Sequence, residues 1–273
     1  MKLAAAQILP SKGDLSLNIG KHLDFISMAV KGGADLILFP ELSLTSYESK
    51  RAKELACIPE DPRLEVFQQK SEEGNIIICA GLPTWHRDGI RISMLIFQPG
   101  KKMQVYSKRW LHADELPYFV PGEDTLLIEA GGKICAPAIC YESTVMEHTL
   151  QAHQAGAAIY LASVADSASG LEKAYRHYPV IAKQFGMIVL LSNGLGPCDD
   201  FICKGRSAVW NGRGELMGQL GEEKEGLLIY DTETGRLAYH RRKENGGRPA
   251  GKRRSRFYPG CIMGHCEPCE AIC

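Results

Sequence analysis

Short apolar runs of strand length recur along the whole chain, with helical spacing between many of them. Lys2 to Ile8, Asp35 to Phe39, Asn75 to Gly81, Ile90 to Gln98, Lys102 to Tyr106, Lys133 to Ile139, Ala157 to Ala162 and Met187 to Ser192 read as strands. Runs this apolar fit strands covered on both faces. Leu17, Leu23, Ile26 and Val30 keep near-helical spacing before a Gly32-Gly33 stop, and Leu64 to Glu73 makes a second helix. A third is expected near Ser143 to Ala155, closed by Gly156, and a short one over Val180 to Phe185 begins around Pro179. The strands between Asn75 and Tyr106 are joined by turn residues alone, so they pair antiparallel, which excludes a pure doubly wound parallel sheet. Ser207 to Trp210, Glu215 to Gln219 and Gly226 to Asp231 add three more strands, the first two joined at Asn211-Gly212-Arg213-Gly214, a hairpin signal. The pattern predicts an α/β chain in which helices cover the outsides of two mixed sheets.

With 273 residues, 45% apolar and 23% charged, the chain has enough material for a substantial core. Its formal net charge of +0 supplies no global attraction for nucleic acid or an anionic membrane. No run approaches the roughly 18 consecutive apolar residues of a membrane span. Met1 to Ile8 leads into a strand without the design of a signal peptide, so a cytoplasmic protein is expected. Cys57, Cys79, Cys135, Cys140, Cys198 and Cys203 are scattered through apolar or loop segments, as free thiols are in a reducing compartment.

Three segments carry chemistry. Leu36-Ile37-Leu38-Phe39-Pro40-Glu41 and Ile139-Cys140-Tyr141-Glu142 each place an acid or a thiol just past an apolar strand, at the rim of a sheet, and Tyr106-Ser107-Lys108 places an amine after another. Gathered at one rim, Cys140 is a nucleophile, Glu41 its base and Lys108 a compact cation for a developing oxyanion. A thiol attacks as thiolate, and Cys140 at the start of a helix gains from the positive end of its dipole. The Tyr141 backbone N–H is the second oxyanion donor expected. That set points to acyl transfer at a carbon bonded to nitrogen.

Gly32 to Glu41, Tyr106-Ser107-Lys108 with Glu115 and Phe119-Val120-Pro121-Gly122, and Ile139 to Glu142 resemble the successive signatures of the nitrilase superfamily, the carbon-nitrogen hydrolases. The resemblance continues through Ser192-Asn193-Gly194, Gly205-Arg206-Ser207 and Gly212 to Gly226, and so spans nearly all of residues 1 to 235. It implies a four-layer α-β-β-α sandwich, protomers that pair through their helices as homodimers or larger homo-oligomers, and a Glu41-Lys108-Cys140 triad. The family's additional glutamate falls on Glu115. It also implies hydrolysis of a small amide through a Cys140 thioester with release of ammonia, without a cofactor or a catalytic metal. N-carbamoyl amine hydrolysis and nitrile hydrolysis are the alternatives, and a thioester-dependent N-acyltransferase is the alternative from another class. The segment after Cys140 lacks the arginine typical of members that act on dicarboxylate monoamides, so it offers no bidentate fork for a substrate carboxylate.

Tyr47, Tyr118, Tyr141, Glu142 and Ser163 lie close in sequence to these segments and are the candidates for lining a substrate cavity. The catalytic domain is expected over residues 1–239, followed by a basic, cysteine-rich tail over 240–273. Arg241 to Arg256 is rich in Arg and Lys with few apolar residues and reads as flexible. Cys261, His265, Cys266, Cys269 and Cys273 follow. Cys266-Glu267-Pro268-Cys269 has metal-ligand spacing, but no second well-spaced pair accompanies it, so no metal is assigned.

Overall fold

The computed structural model describes residues 1–241; the basic stretch beyond Arg241 and the terminal cysteines lie outside them. Along the chain run β1 (Lys2–Gln7), α1 (Leu15–Lys31), β2 (Leu36–Leu38), α2 (Ala52–Leu55), α3 (Glu65–Gly74), β3 (Ile77–His86), β4 (Gly89–Phe97) and β5 (Gln104–Ser107). The second half holds β6 (Ile128–Ala130), β7 (Lys133–Ile139), α4 (Met146–Gln154), β8 (Ile159–Val164), α5 (Ala168–Phe185) and β9 (Ile188–Asn193). Then come β10 (Leu195–Cys198), β11 (Phe201–Lys204), β12 (Ala208–Trp210), β13 (Leu216–Gln219), β14 (Gly226–Asp231) and β15 (Leu237–Arg241).

Two large mixed sheets form. One has seven strands in the order β15-β14-β1-β2-β3-β4-β5, the other six in the order β13-β12-β9-β8-β7-β6. Each has the same plan. β1, β2 and β3 run parallel at the centre of the first, β7, β8 and β9 at the centre of the second, and every flanking pair is antiparallel. Three apolar layers separate the elements. Leu36, Leu38, Ile139, Leu161 and Leu190 pack between the sheets. Phe25, Ile26, Ala29 and Phe67 from α1 and α3 cover the outside of the first sheet, and Ala152, Leu171, Tyr178 and Ile181 from α4 and α5 cover the second. Both faces of both sheets are thus buried, which is why their strands are apolar without alternation.

The helices start where the sequence permits. Asp14 caps α1 by accepting the Leu17 N–H at 2.9 Å, and Asn75, in the left-handed region at φ 46°, ends α3. α5 corrects the expected short helix at Val180 to Phe185. Pro179 lies inside it and removes one helical donor, but Leu171, Ala174, Tyr178, Ile181 and Ala182 form a continuous buried stripe on either side, and that packing carries the helix from Ala168. The helix expected from Ser143 to Ala155 is divided. A 3₁₀ turn over Cys140–Thr144 ends at Val145 in extended conformation, and α4 begins after it. β6, β15 and the β10–β11 hairpin are additional strands, the last running across Gly196 and Pro197, which read as loop. No helix among the described residues is long and apolar enough to cross a membrane.

Candidate active site

Glu41, Lys108 and Cys140 converge, each delivered just beyond the C-terminal end of a strand. Beyond β2, the chain turns through Pro40 and Glu41 and takes a left-handed conformation at Leu42, φ 49°. Gly81 on β3 lies against this turn so closely that a Cβ there would stand 2.4 Å from the Leu42 nitrogen and 2.7 Å from the Pro40 oxygen. Ser43 is held from outside by His22 of α1, whose Nε2 lies 2.9 Å from Ser43 Oγ while its Nδ1 lies 2.7 Å from the Asn18 oxygen. Burial lowers the His22 pKa to about 3, so the ring stays neutral. Lys108 follows β5, donates its N–H to the Ile92 oxygen at 2.8 Å and accepts from the Gly122 N–H at 2.7 Å. Cys140 opens the 3₁₀ turn beyond β7 at φ 49°, a strained conformation for a side chain other than glycine.

Lys108 is fully buried, and its Nζ donates to Glu41 Oε1 at 2.9 Å and to Glu115 Oε1 at 2.6 Å. Glu115 Oε1 also receives the Tyr47 hydroxyl at 2.9 Å, and its Oε2 receives the His112 N–H at 2.7 Å. Glu115 therefore anchors the ammonium and closes its own turn at once. Glu41 Oε2 is buried without a hydrogen-bond partner among the described residues. Burial raises the Glu41 carboxyl to about 8, with Lys108 opposing and Glu115 adding to the rise. Burial works against the Lys108 ammonium too, but Glu41, Cys140 and Glu115 outweigh it and hold its pKa above the usual lysine range. The Cys140 thiol is pushed well above its ordinary range by burial first and the Glu41 charge second. The help expected from a helix dipole is outweighed, because the turn behind Cys140 is only five residues long and the sulfur is desolvated. A protonated thiol beside an unmatched carboxyl oxygen is a nucleophile that needs its base during the attack.

Cys140 opens into a cavity of about 340 Å³. Of the residues expected to line it, Tyr47 and Tyr141 do. Tyr118 is exposed and outside the lining. Glu142 is fully buried elsewhere: its Oε1 accepts the Ile139 N–H at 2.7 Å and the Tyr106 hydroxyl at 2.7 Å, and its Oε2 accepts the N–H groups of Arg109 at 2.7 Å and Trp110 at 3.3 Å. It ties the turn carrying Cys140 to the segment carrying Lys108 and has no oxygen left for substrate. Ser163 donates its hydroxyl to the Phe39 oxygen at 2.8 Å and joins the two sheets instead of facing substrate. Asp166, Lys173, His112 and Phe201 line the cavity without having been singled out in the sequence. Asp166 follows β8 just as Glu41 follows β2, so the same end-of-strand signal was available for it. Phe201, whose ring packs edge-on against Tyr47 at 5.6 Å, sits on the hairpin that Gly196 and Pro197 conceal. A separate hollow of about 400 Å³ behind Tyr106 and His148 contains none of the triad. Among the described residues no three His, Cys, Asp or Glu side chains gather as metal ligands would.

The carbon-nitrogen hydrolase family matches residues 2–241. The glutamine-dependent NAD(+) synthetase of Acinetobacter baylyi is 29% identical over 235 residues, which cover 83% of this chain and 43% of that protein. The enzyme of the same name from Thermotoga maritima is 25% identical over 241 residues, covering 82% and 41%. The chain thus spans less than half the length of these relatives. A solved complex of a variant amidase from Nesterenkonia sp. AN1 with butyramide superposes with a TM-score of 0.77 at 24% identity, covering 84% of this chain and 89% of the amidase, a likeness of fold. The glutamine-dependent NAD+ synthetase of Acinetobacter baumannii superposes at 0.72 with 26% identity, over 89% of this chain and 47% of the synthetase. The four-layer sandwich around two mixed sheets is the fold of the nitrilase superfamily, and the chain belongs to the carbon-nitrogen hydrolases.

Proposed function

We propose that the chain is a thiol amidohydrolase that cleaves a small carboxamide through a thioester on Cys140 and releases ammonia. The observation that carries this reading is the buried set in which Lys108 bridges Glu41 and Glu115 while Glu41 Oε2 is left unmatched beside the thiol. Cys140 Sγ adds to the amide carbon as its proton passes to Glu41. The oxyanion forms against the Lys108 ammonium and the Tyr141 N–H, which as the second residue of a helical turn has no carbonyl within that turn to bond. Glu41 then returns the proton to the nitrogen, and ammonia leaves. A water that gives its proton to Glu41 attacks the thioester; as the C–S bond breaks the sulfur takes the proton back, and the acid departs. Glu115 holds the ammonium in place throughout.

The relatives named glutamine-dependent bring the side-chain amide of glutamine into the set of substrates worth trying. A panel of simple carboxamides, glutamine, N-carbamoyl amines and nitriles, scored for ammonia and carbon dioxide with Cys140→Ala as control, tests the reading. Ammonia from a carboxamide that disappears in Cys140→Ala supports it. Carbon dioxide released along with ammonia, from carbamoyl amines alone, replaces it with carbamoyl hydrolysis, and activity that survives in Cys140→Ala removes the nucleophile.

A further inference from the structure

The proposed chemistry leaves one acid of the cavity without a task. Asp166 stands two residues beyond β8 and lines the same cavity as Cys140. Its backbone is clamped on both sides by the buried Asn193: the Asp166 N–H donates to Asn193 Oδ1 at 2.8 Å, and its carbonyl accepts Asn193 Nδ2 at 3.1 Å and the Lys204 N–H at 3.1 Å. The carboxylate rests over Gly170 in the first turn of α5, where a Cβ would come within 2.5 Å of Oδ1. The position is therefore fixed and room has been kept for it. Yet no described group donates a hydrogen bond to this carboxylate, and no described cation forms an ion pair with it. Lys173 on α5 also borders the cavity, but it is exposed to solvent and makes no ion pair among the described residues.

A carboxylate drawn out of water without donors is held at a cost that a cation entering the cavity would offset. Burial raises the Asp166 carboxyl to about 6, and the distant charges of Lys108 and Lys173 only moderate the rise. A neutral ligand leaves that cost in place. An anionic one adds repulsion from Asp166. We propose that Asp166 sets the specificity of this cavity by receiving a protonated amine carried on the acyl side of the substrate, so that the preferred carboxamides are amino-substituted. This rests on the amidase reading and goes beyond it by naming the substrate class. On this account the Asn193 clamp is a positioning device for Asp166.

The test separates binding from turnover. Calorimetric binding of 4-aminobutanamide, neutral pentanamide and anionic succinamic acid is measured on Cys140→Ala, and ammonia release from the same compounds on the unaltered enzyme. The amino amide should bind roughly 10–100-fold more tightly than pentanamide, as a charge-assisted hydrogen bond in a desolvated site allows. Asp166→Asn in the Cys140→Ala background should bring that ratio close to one, Asp166→Ser should do the same if Asn folds poorly, and Lys173→Met should preserve it. Equal or tighter binding of pentanamide, binding of neither compound, or a ratio that survives both Asp166 substitutions overturns the proposal. Absence of ammonia from every amide would strike the amidase reading alone, because the binding ratio is read without turnover.

Discussion

Glu41 has to accept a proton from sulfur and later return one to nitrogen, which is easiest for a group whose proton affinity lies near the working pH. Burial supplies that affinity, and Lys108 keeps it from rising further. The sign follows directly. Below about pH 8 the carboxyl holds its proton and has no capacity for the thiol's; above it the carboxylate is ready. For amide hydrolysis kcat/KM should therefore rise with pH through about 8, in an ammonia assay run with a saturation curve at each pH. A flat profile would deny Glu41 the role of base. Lys108 has a different signature. Its bond to the oxyanion strengthens as charge develops, so Lys108→Ala should lower kcat by about 10²–10³ while KM moves far less. A loss confined to KM, with folding intact, would make Lys108 a binding group. At this scale residue types and their place after strands made the triad legible in the sequence, but not the direction of neighbouring side chains. Glu142 and Ser163 have the right chemistry for a cavity and face away from it, because the pleat and the 3₁₀ turn, not composition, decide where they point.

Between the residue and the fold stand the connections that hold one strand end against another. Glu142 is the clearest. Its two oxygens accept four donors, three of them backbone N–H groups that cannot turn to offer an acceptor instead. Glu142→Gln would set an amide N–H against at least one of those donors. We expect a stability loss of about 2–4 kcal/mol and a fall in kcat, read by denaturant melts and single-turnover kinetics. A variant as stable and active as the parent would show that the turn around Cys140 is held by other means. Tyr106 extends the same network. Its hydroxyl donates to Glu142 and lies 2.9 Å from His148 Nε2, and His148 Nδ1 lies 2.6 Å from the Tyr160 hydroxyl. Burial holds the His148 pKa near 4, so the chain is complete with a neutral ring. Elements were legible where periodicity was strong, as in α1, β4 and β9. They were hidden where a local breaker was overruled by packing, as at Pro179 in α5, or where a strand is built across Gly196 and Pro197.

Over the whole molecule, catalysis depends on the two sheets facing each other in one alignment, since Glu41 and Lys108 belong to the first and Cys140 to the second. Apolar contact alone permits sliding, because burial is not directional. Three buried polar links supply the direction. Ser163 donates to the Phe39 oxygen at 2.8 Å, Ser192 donates to the Ala6 oxygen at 2.6 Å, and Gln7 Oε1 accepts the Ser207 N–H at 2.9 Å. Ser163 and Ser192 are register partners on β8 and β9, and Phe39 lies two residues before Glu41, so the first link sits next to the base. The family pattern foretold a sandwich but not these links, whose small hydroxyls read as filler in apolar strands. Ser163→Ala should cost about 1–2 kcal/mol by leaving a buried carbonyl unpaired, and Ser192→Ala a similar amount. In the double variant kcat/KM should fall by more than the product of the two single effects, since either link alone can keep the alignment and neighbouring sites couple. Thermal melts and ammonia-release kinetics on the four proteins complete that cycle. Strictly multiplicative losses in activity would mean that the alignment of Glu41 with Cys140 is set by packing between the sheets and not by these hydroxyls.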